Sequence, residues 1–401
     1  SGLSITDQEF LLEYASLGGA PSCEAVDANE FLPVPTQASC GTAPVCMQTS
    51  TYVTNGAATI DLLTGVEGQF VYGEVREDPS NITSAIDINQ NEYTELEYAI
   101  TPTVNVSDQN LCFRVTNNGD EFDTYLSVAK MNLRFEPVVN TITLNNGQPI
   151  SLLPGTTTKV YATGTVSDLN GYTDLLYATS TIYRGLVAGG ASCTPNNNNC
   201  YVSSTETATC SFIDCVGDSC TVSCYADIYF HADPTDAGDY MGQEWFAFVE
   251  VTDASAGYGF AASPGVVMST LRAIEVDGVI DYGALAVNAD TGSYNASTSI
   301  FNLGNVAIDI EITGTDLSDG ITSVIPADKQ KFATSTFTYS ACGGNCALLS
   351  STTPVSIDVD LVKPATDTPP ISDSVYWGIA VPIGVNSVPH QGINVFTPVS
   401  P

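Results

Sequence analysis

The chain has 401 residues, with 45 acidic side chains against 10 basic ones and a formal net charge of −35. No Lys/Arg cluster exists to neutralise phosphates, so nucleic-acid binding is excluded, and the same field repels anionic lipid. No apolar run approaches the roughly 18–20 residues that a membrane-spanning helix needs.

In chain order the residues read as three β units, covering 1–137, 138–271 and 272–401. In the first, residues 8–15 place Phe10, Leu12 and Tyr14 on one face of a strand. Residues 111–117 alternate and end at the Asn118-Gly119 turn, and 124–133 read as their hairpin partner. In the second unit, 156–166, 221–230 and 244–252 are alternating runs. In the third, 297–302 lead through Gly304 into a strand whose Val306, Ile308, Ile310 and Ile312 share a face. Residues 375–381 and 393–399 read as closing strands. Frequent Thr, Val, Ile and Tyr with Gly and Asn-Gly turns, and no amphipathic helix, predict an all-β chain of tandem immunoglobulin-like β-sandwich domains. No Gly/Ser-rich tether separates the units, and Pro364 to Pro370 is a loop within the third. A semi-rigid rod is expected.

Twelve cysteines stand beside only two histidines, His231 and His390. Common metal sites and nucleophile–base pairs draw on histidine, so the sulfurs read as disulfide staples, which persist outside a reducing cytosol. They divide evenly: Cys23, Cys40, Cys46 and Cys112 in the first unit; Cys193, Cys200, Cys210, Cys215, Cys220 and Cys224 in the second; Cys342 and Cys346 in the third. Each unit can therefore close its own bridges, with the pairing among the six left open. A zinc site in the six is disfavoured, because their spacing lacks paired hooks separated by a longer loop. Cys342 and Cys346 read as a staple across a tight Gly-Gly loop. A chain opening on Ser1 fits removal of a leader. With no wall-sorting motif or hydrophobic tail in sight, retention on a cell is expected to be non-covalent or polymeric.

Three groups of residues carry a resemblance. They are 96–100 (LEYAI) with 112–117 (CFRVTN); Tyr183-Arg184 with the Cys-rich stretch through 196–200 and 226–236 (ADIYFHADPTD); and 302–312 (NLGNVAIDIEI) with 376–382 (YWGIAVP). Together they resemble secreted multi-domain β-sandwich surface proteins of small-genome candidate-phylum bacteria, a functionally uncharacterised family. The resemblance implies secretion, β-sandwich folds and placement at the cell surface, and it carries over no catalytic residue. The first module departs from the pattern by lacking a strand ahead of Phe10.

Asp168, Asn170 and Asp174 place oxygen ligands around Gly171 as Ca²⁺ loops do, although Asp and Asn at turns also bond their own backbone. Asp233, Asp236 and Asp239 form a second acidic loop after His231. No G-x-S-x-G is present, and no spacing singles out His231 with Asp227 and a serine, so no enzyme is expected. Trp245 and Trp377 lie in apolar strands and read as core, not as sugar-stacking platforms. Asn81, Asn105 and Asn295 head glycosylation sequons.

These features lead to an expected function: a structural subunit of an extracellular cell-surface filament or pilus-like fibre, with copies of itself as partners. Phe10, Leu12 and Tyr14 mark a candidate donor strand that completes the first domain of the next copy, a contact that propagates without closing. The competing reading pairs both terminal strands inside their own domains. The alternatives in function are an adhesin or glycan-binding module directed at other cell surfaces, and a surface-layer protein. No cofactor is expected, Ca²⁺ at the Asp168 loop being the one candidate.

Overall fold

Alternation in the sequence becomes alternation in burial: in the strand Trp245–Asp253 every second side chain is buried. The computed structural model describes residues 4–65, 67–103, 110–122, 125–133 and 135–401. The protein is all-β, with disulfide-stapled β-sandwich units. No helix among the described residues is long and apolar enough to cross a membrane.

The first unit is built on β1 (Phe10–Ser16), β2 (Leu32–Pro33), β3 (Asn110–Asn117) and β4 (Ala129–Asn132), in the antiparallel order β4-β3-β1-β2. Short two-stranded ribbons and 3-10 turns make up the rest of its regular structure. One ribbon pairs Ile5–Gln8 with Ile86–Ile88, so a strand does precede Phe10, against the expectation from the sequence. Its core is small, with Leu12, Tyr14, Val34, Val45, Met47, Leu111 and Phe113 buried together. Cys23–Cys112 ties a 3-10 turn to β3, and Cys40–Cys46 closes a short loop.

β1 corrects the donor-strand expectation. It is a central strand, paired with β3 from Phe10↔Asn117 to Ser16↔Leu111 and with β2 at Glu13 and Tyr14. Where β2 stops, side chains take over. The Leu12 N–H donates to Asn81 Oδ1 at 3.1 Å, Asn81 Nδ2 donates to the carbonyls of Leu12 and Val34 at 2.7 and 2.8 Å, and the Phe10 N–H donates to Thr83 Oγ1 at 2.8 Å. Phe10, Leu12 and Tyr14 are buried in their own unit. An alternating strand looks the same whether it serves its own sheet or a neighbour's; the partner about 100 residues away decides. The same contacts correct the glycosylation reading at Asn81, whose buried amide is consumed by backbone. The Asn295 amide is engaged likewise, accepting from the Phe337 N–H at 2.9 Å and donating to the Trp377 carbonyl at 3.4 Å. Asn105 lies outside the described residues.

The second unit contains β5 (Val138–Leu144), β6 (Thr157–Ser167), β7 (Leu175–Arg184), β8 (Cys200–Ser204), β9 (Cys210–Val216), β10 (Ser219–Tyr229), β11 (Trp245–Asp253) and β12 (Tyr258–Ala262). Its sheets run β5-β6-β10-β9 and β8-β7-β11-β12. Lettered in chain order, these are A-B-E-D and C′-C-F-G, the immunoglobulin arrangement. Trp245, Ile182, Val222 and Val249 lie between the sheets. All six cysteines are bridged: Cys210–Cys224 joins facing positions of β9 and β10, Cys215–Cys220 closes the end of that hairpin, and Cys193–Cys200 closes the loop entering β8.

The third unit contains β13 (Ile274–Asp277), β14 (Ala296–Asn302), β15 (Ile308–Gly314), β16 (Gln330–Ala333), β17 (Ala347–Leu348), β18 (Val355–Leu361), β19 (Ser372–Ile379) and β20 (Asn394–Val399). Its two larger sheets run β13-β14-β19-β16-β17 and β18-β15-β20, and a two-stranded ribbon pairs Leu317–Ser318 with Val324–Ile325. Ile308, Ile310 and Ile312 pack with Phe332 and Trp377, and Cys342–Cys346 closes a loop between β16 and β17. Trp245 and Trp377 are both 0% exposed, with indole N–H groups donating to the Asp233 carbonyl and to Thr298 Oγ1, each at 3.0 Å.

No sheet crosses between units among the described residues. Polar side chains join them, beside isolated backbone bonds such as Gly155 N–H to the Leu303 carbonyl at 3.2 Å and Asn305 N–H to the Leu271 carbonyl at 3.0 Å. Between the second and third units the Leu271 N–H donates to Asn305 Oδ1 at 2.7 Å, and Asn305 Nδ2 donates to the Ser269 carbonyl at 3.1 Å. Lys363 reaches back to Asp233 at 3.0 Å and Asn198 at 2.9 Å, while Arg184 holds the other oxygen of Asp233 at 2.9 Å.

Two predictions follow from these side-chain bridges. Asn81→Ala strands the Leu12 N–H and two carbonyls, and is expected to destabilise the chain by about 2–3 kcal/mol in denaturant unfolding. Asp233→Ala leaves two cations sharing one site without an anion. A loss of about 3 kcal/mol or more is expected, together with faster limited proteolysis between the second and third units.

Candidate functional site

Asp168 follows β6, Asp174 ends the 3-10 turn Tyr172–Asp174 that leads into β7, and Asp253 is the last residue of β11. Asp168 shapes its own loop: its Oδ1 accepts the Asn170 N–H at 2.8 Å, and its carbonyl accepts the Gly171 N–H at 2.9 Å. Gly171, at φ 97°, supplies a conformation that a side chain resists. Asp253 organises the loop after β11, with its Oδ1 accepting from Ser255 N–H, Ser255 O–H and Gly257 N–H, each at 2.8 Å. One carboxylate oxygen on each of Asp168, Asp174 and Asp253 lies within 4.8 Å of the others. Asp168 and Asp253 are each 1% exposed, and the Oδ2 atoms of all three residues are buried without a hydrogen-bond partner.

Burial pushes the Asp168 carboxyl above the usual range; the Asn170 N–H opposes this, and the charges of Asp174 and Asp253 add to it. Burial and then the Asp253 charge push Asp174 the same way. The donor set is oxygen alone, which suits a hard cation rather than zinc or copper. Of the three residues expected from the sequence, Asp168 and Asp174 come together and Asp253 joins them. Asn170 does not, because its Oδ1 accepts the Phe135 N–H at 3.1 Å in the connection from the first unit. A signal for Asp253 is present in the sequence: Asp253-Ala-Ser255 repeats the Asp-x-polar turn of Asp168-Leu-Asn170.

A second feature lies in the third unit. In the second unit the F strand, β11, pairs with β7 on one side and β12 on the other. In the third, β20 occupies the equivalent place against β15 and is the edge of its sheet among the described residues. Beside it opens a cavity of about 1050 Å³, bounded by Val276 of β13, residues 278–285 and Val287 on one side and by Asn394 and Phe396 of β20 on the other. This is where the G strand sits in the second unit, between F and A. Gln330 in the cavity wall is buried; its Oε1 accepts from the Tyr282 hydroxyl at 2.8 Å, and its Nε2 has no partner. Val279, Ile383, Val388 and Ile393 are exposed.

The remaining candidates are structural. His231 is 0% exposed, 3.2 Å through Nδ1 from Asn198 Oδ1, and stacked on Tyr229 at 5.4 Å. Asp227 is exposed on β10, on the side opposite the core. Asp233 is the anion of the junction, Asp236 accepts from the Thr270 N–H at 2.9 Å, and Asp239 is exposed.

No family model matches the chain, and no curated protein does. Among solved structures, a marsupial T cell receptor aligns over 100% of this chain and 96% of its own at 8% identity, with a TM-score of 0.25. The major pilin subunit of Bacillus cereus aligns over 89% and 91% at 9% identity with a TM-score of 0.22. A bacterial ice-binding adhesin aligns over 96% and 92% at 9% identity with a TM-score of 0.17. Likenesses this slight carry no argument about function.

His231 makes a pH prediction. Burial first, and then the Lys363 charge, hold its imidazole below 6.5, against smaller opposing pulls from Asp367 and Asp233. The unfolded chain therefore takes this proton at higher pH than the folded one. The His231 contribution is complete above about pH 6.5 and is lost as pH falls from there through the folded value. In denaturant unfolding, His231→Gln is expected to flatten the loss of stability that sets in below about pH 6.5; an unchanged slope would assign the loss elsewhere.

Proposed function

We propose that this chain is the structural subunit of an extracellular cell-surface filament, in which the third unit of one copy takes an extended strand from the next. The observation that carries this reading is the edge of β20 above its cavity. An edge strand presents a row of unpaired N–H and C=O groups. When apolar pockets lie beside that row, an incoming strand gains main-chain hydrogen bonds and buried side chains together, which is β-augmentation. Pro398 lacks an N–H, so pairing runs along residues 394–397. With a donor strand other than β20 itself, the contact is heterologous and extends as a fibre unless rotation closes it; β20 pairing with β20 of a second copy would give a closed dimer instead.

The disulfides support an oxidising, extracellular setting, and the polar bridges between units support a stiff subunit. The charge of −35 opposes close approach of copies, so assembly should rise with ionic strength as repulsion is screened. No residue is assigned a catalytic role.

Electron microscopy of the purified chain across a salt series is the test. Uniform filaments are expected, and Val388→Asp with Ile393→Asp should abolish them. Both side chains line the cavity and are exposed, so the isolated subunit should keep its melting temperature while a bound strand would bury two carboxylates. Dispersed monomers at every ionic strength, with saturable binding to cells or polysaccharide, would replace the filament with the adhesin reading.

A further inference from the structure

We propose that Asp168, Asp174 and Asp253 bind a calcium ion at the end of the second unit that faces the first. Acidic residues are plentiful in this chain, but these three differ from the solvated majority in geometry. Their Oδ2 atoms are buried without hydrogen-bond partners, while the Oδ1 atoms of Asp168 and Asp253 are held by their own loops. The carboxylates are thus oriented before any ligand arrives. Among the described residues, no Lys, Arg or His lies within ion-pair distance of them; the ion-paired acids are Glu13, Glu74, Glu121, Asp233 and Asp328. Three like charges converging in a buried site oppose folding unless something positive joins them.

Spacing and chemistry point to calcium. With ligand distances of about 2.3–2.6 Å, oxygens on opposite sides of one Ca²⁺ stand up to about 5 Å apart, and the 4.8 Å span of the cluster fits within that. Mg²⁺ needs a tighter octahedron and surrenders its water reluctantly. One side of the site is closed by the backbone of Gly257, where a Cβ would stand 2.7 Å from Asp253 Oδ2 and 3.2 Å from Glu136 Cγ. Glu136 belongs to the connection from the first unit, as does Phe135, whose N–H is held by Asn170 of the same loop. An ion here ties the loop after β6 to the loop after β11, and through Asn170 it stiffens the joint between the first two units.

The test uses the full chain, stripped with EDTA and titrated calorimetrically with CaCl₂ and separately with MgCl₂. Extracellular calcium modules bind at about 10⁻⁴–10⁻³ M, so the titration should span that range. One Ca²⁺ per chain is expected, with Mg²⁺ at least ~10-fold weaker, a raised melting temperature, and slower proteolysis near residue 136. Asp168→Asn with Asp253→Asn should weaken Ca²⁺ binding by ~10-fold or more. In EDTA the same variant should melt no lower than the parent, because the repulsion is gone; this separates a lost ligand set from a damaged fold. Absence of calcium heat and of any melting shift in the parent, equal affinity for Mg²⁺, or undiminished calcium binding by the variant would overturn the assignment.

Discussion

Each β-strand must satisfy two rows of backbone hydrogen-bonding groups, and the way each row is satisfied decides what the strand can do. β1 has both rows engaged, by β3 on one side and by β2, Asn81 and Thr83 on the other. It is therefore part of its own core. β20 has one row engaged by β15 and stands, among the described residues, at the edge of its sheet, beside a cavity of mixed polar and apolar lining. Both strands lie towards chain ends and alternate alike, yet only one has the geometry of an acceptor. The proposed filament rests on that difference, and would place its acceptor in the third unit rather than the first.

The scarcity of cations shapes the rest. With 10 basic residues for 45 acidic ones, the buried ion pairs are few and placed where they hold segments together. Arg114 joins Glu13 and Glu121 and lies over the Phe31 ring at 4.2 Å. Arg184 and Lys363 share Asp233 and so fasten the second unit to the third. Elsewhere neutral carboxamides do the joining, as Asn81, Asn170, Asn198 and Asn305 show. Against this pattern, the buried Oδ2 atoms of Asp168, Asp174 and Asp253, with no cation at ion-pair distance among the described residues, are the exception that the proposed calcium ion would resolve.

Disulfides substitute for core where strands are short. The first unit has only small buried clusters, and Cys23–Cys112 spans 89 residues there. By the chain-entropy account a loop of that length is worth about 4.6 kcal/mol. In the second unit, Cys210–Cys224 and Cys215–Cys220 fix a hairpin whose outer strand, β9, buries only Cys210.

The sequence by itself determined what depends on local repetition. Two-residue alternation marks the strands Phe10–Ser16, Trp245–Asp253 and Ile308–Gly314, places Trp245 and Trp377 in the core, and with the cysteine count predicts an all-β, disulfide-bearing chain. Even the Asp168–Asp174 turn was legible, because Asx turns and glycine punctuation are local. The tertiary structure alone decided which distant residues meet. It brought Asp253 to Asp168 and turned Asn170 towards Phe135. It made Asn81 a bridge between backbones and not a glycan site, put β1 inside its own sheet, and left β20 at an edge. Periodicity records the face a side chain shows; it does not record the partner across the gap, which is chosen by pairing between segments tens of residues apart.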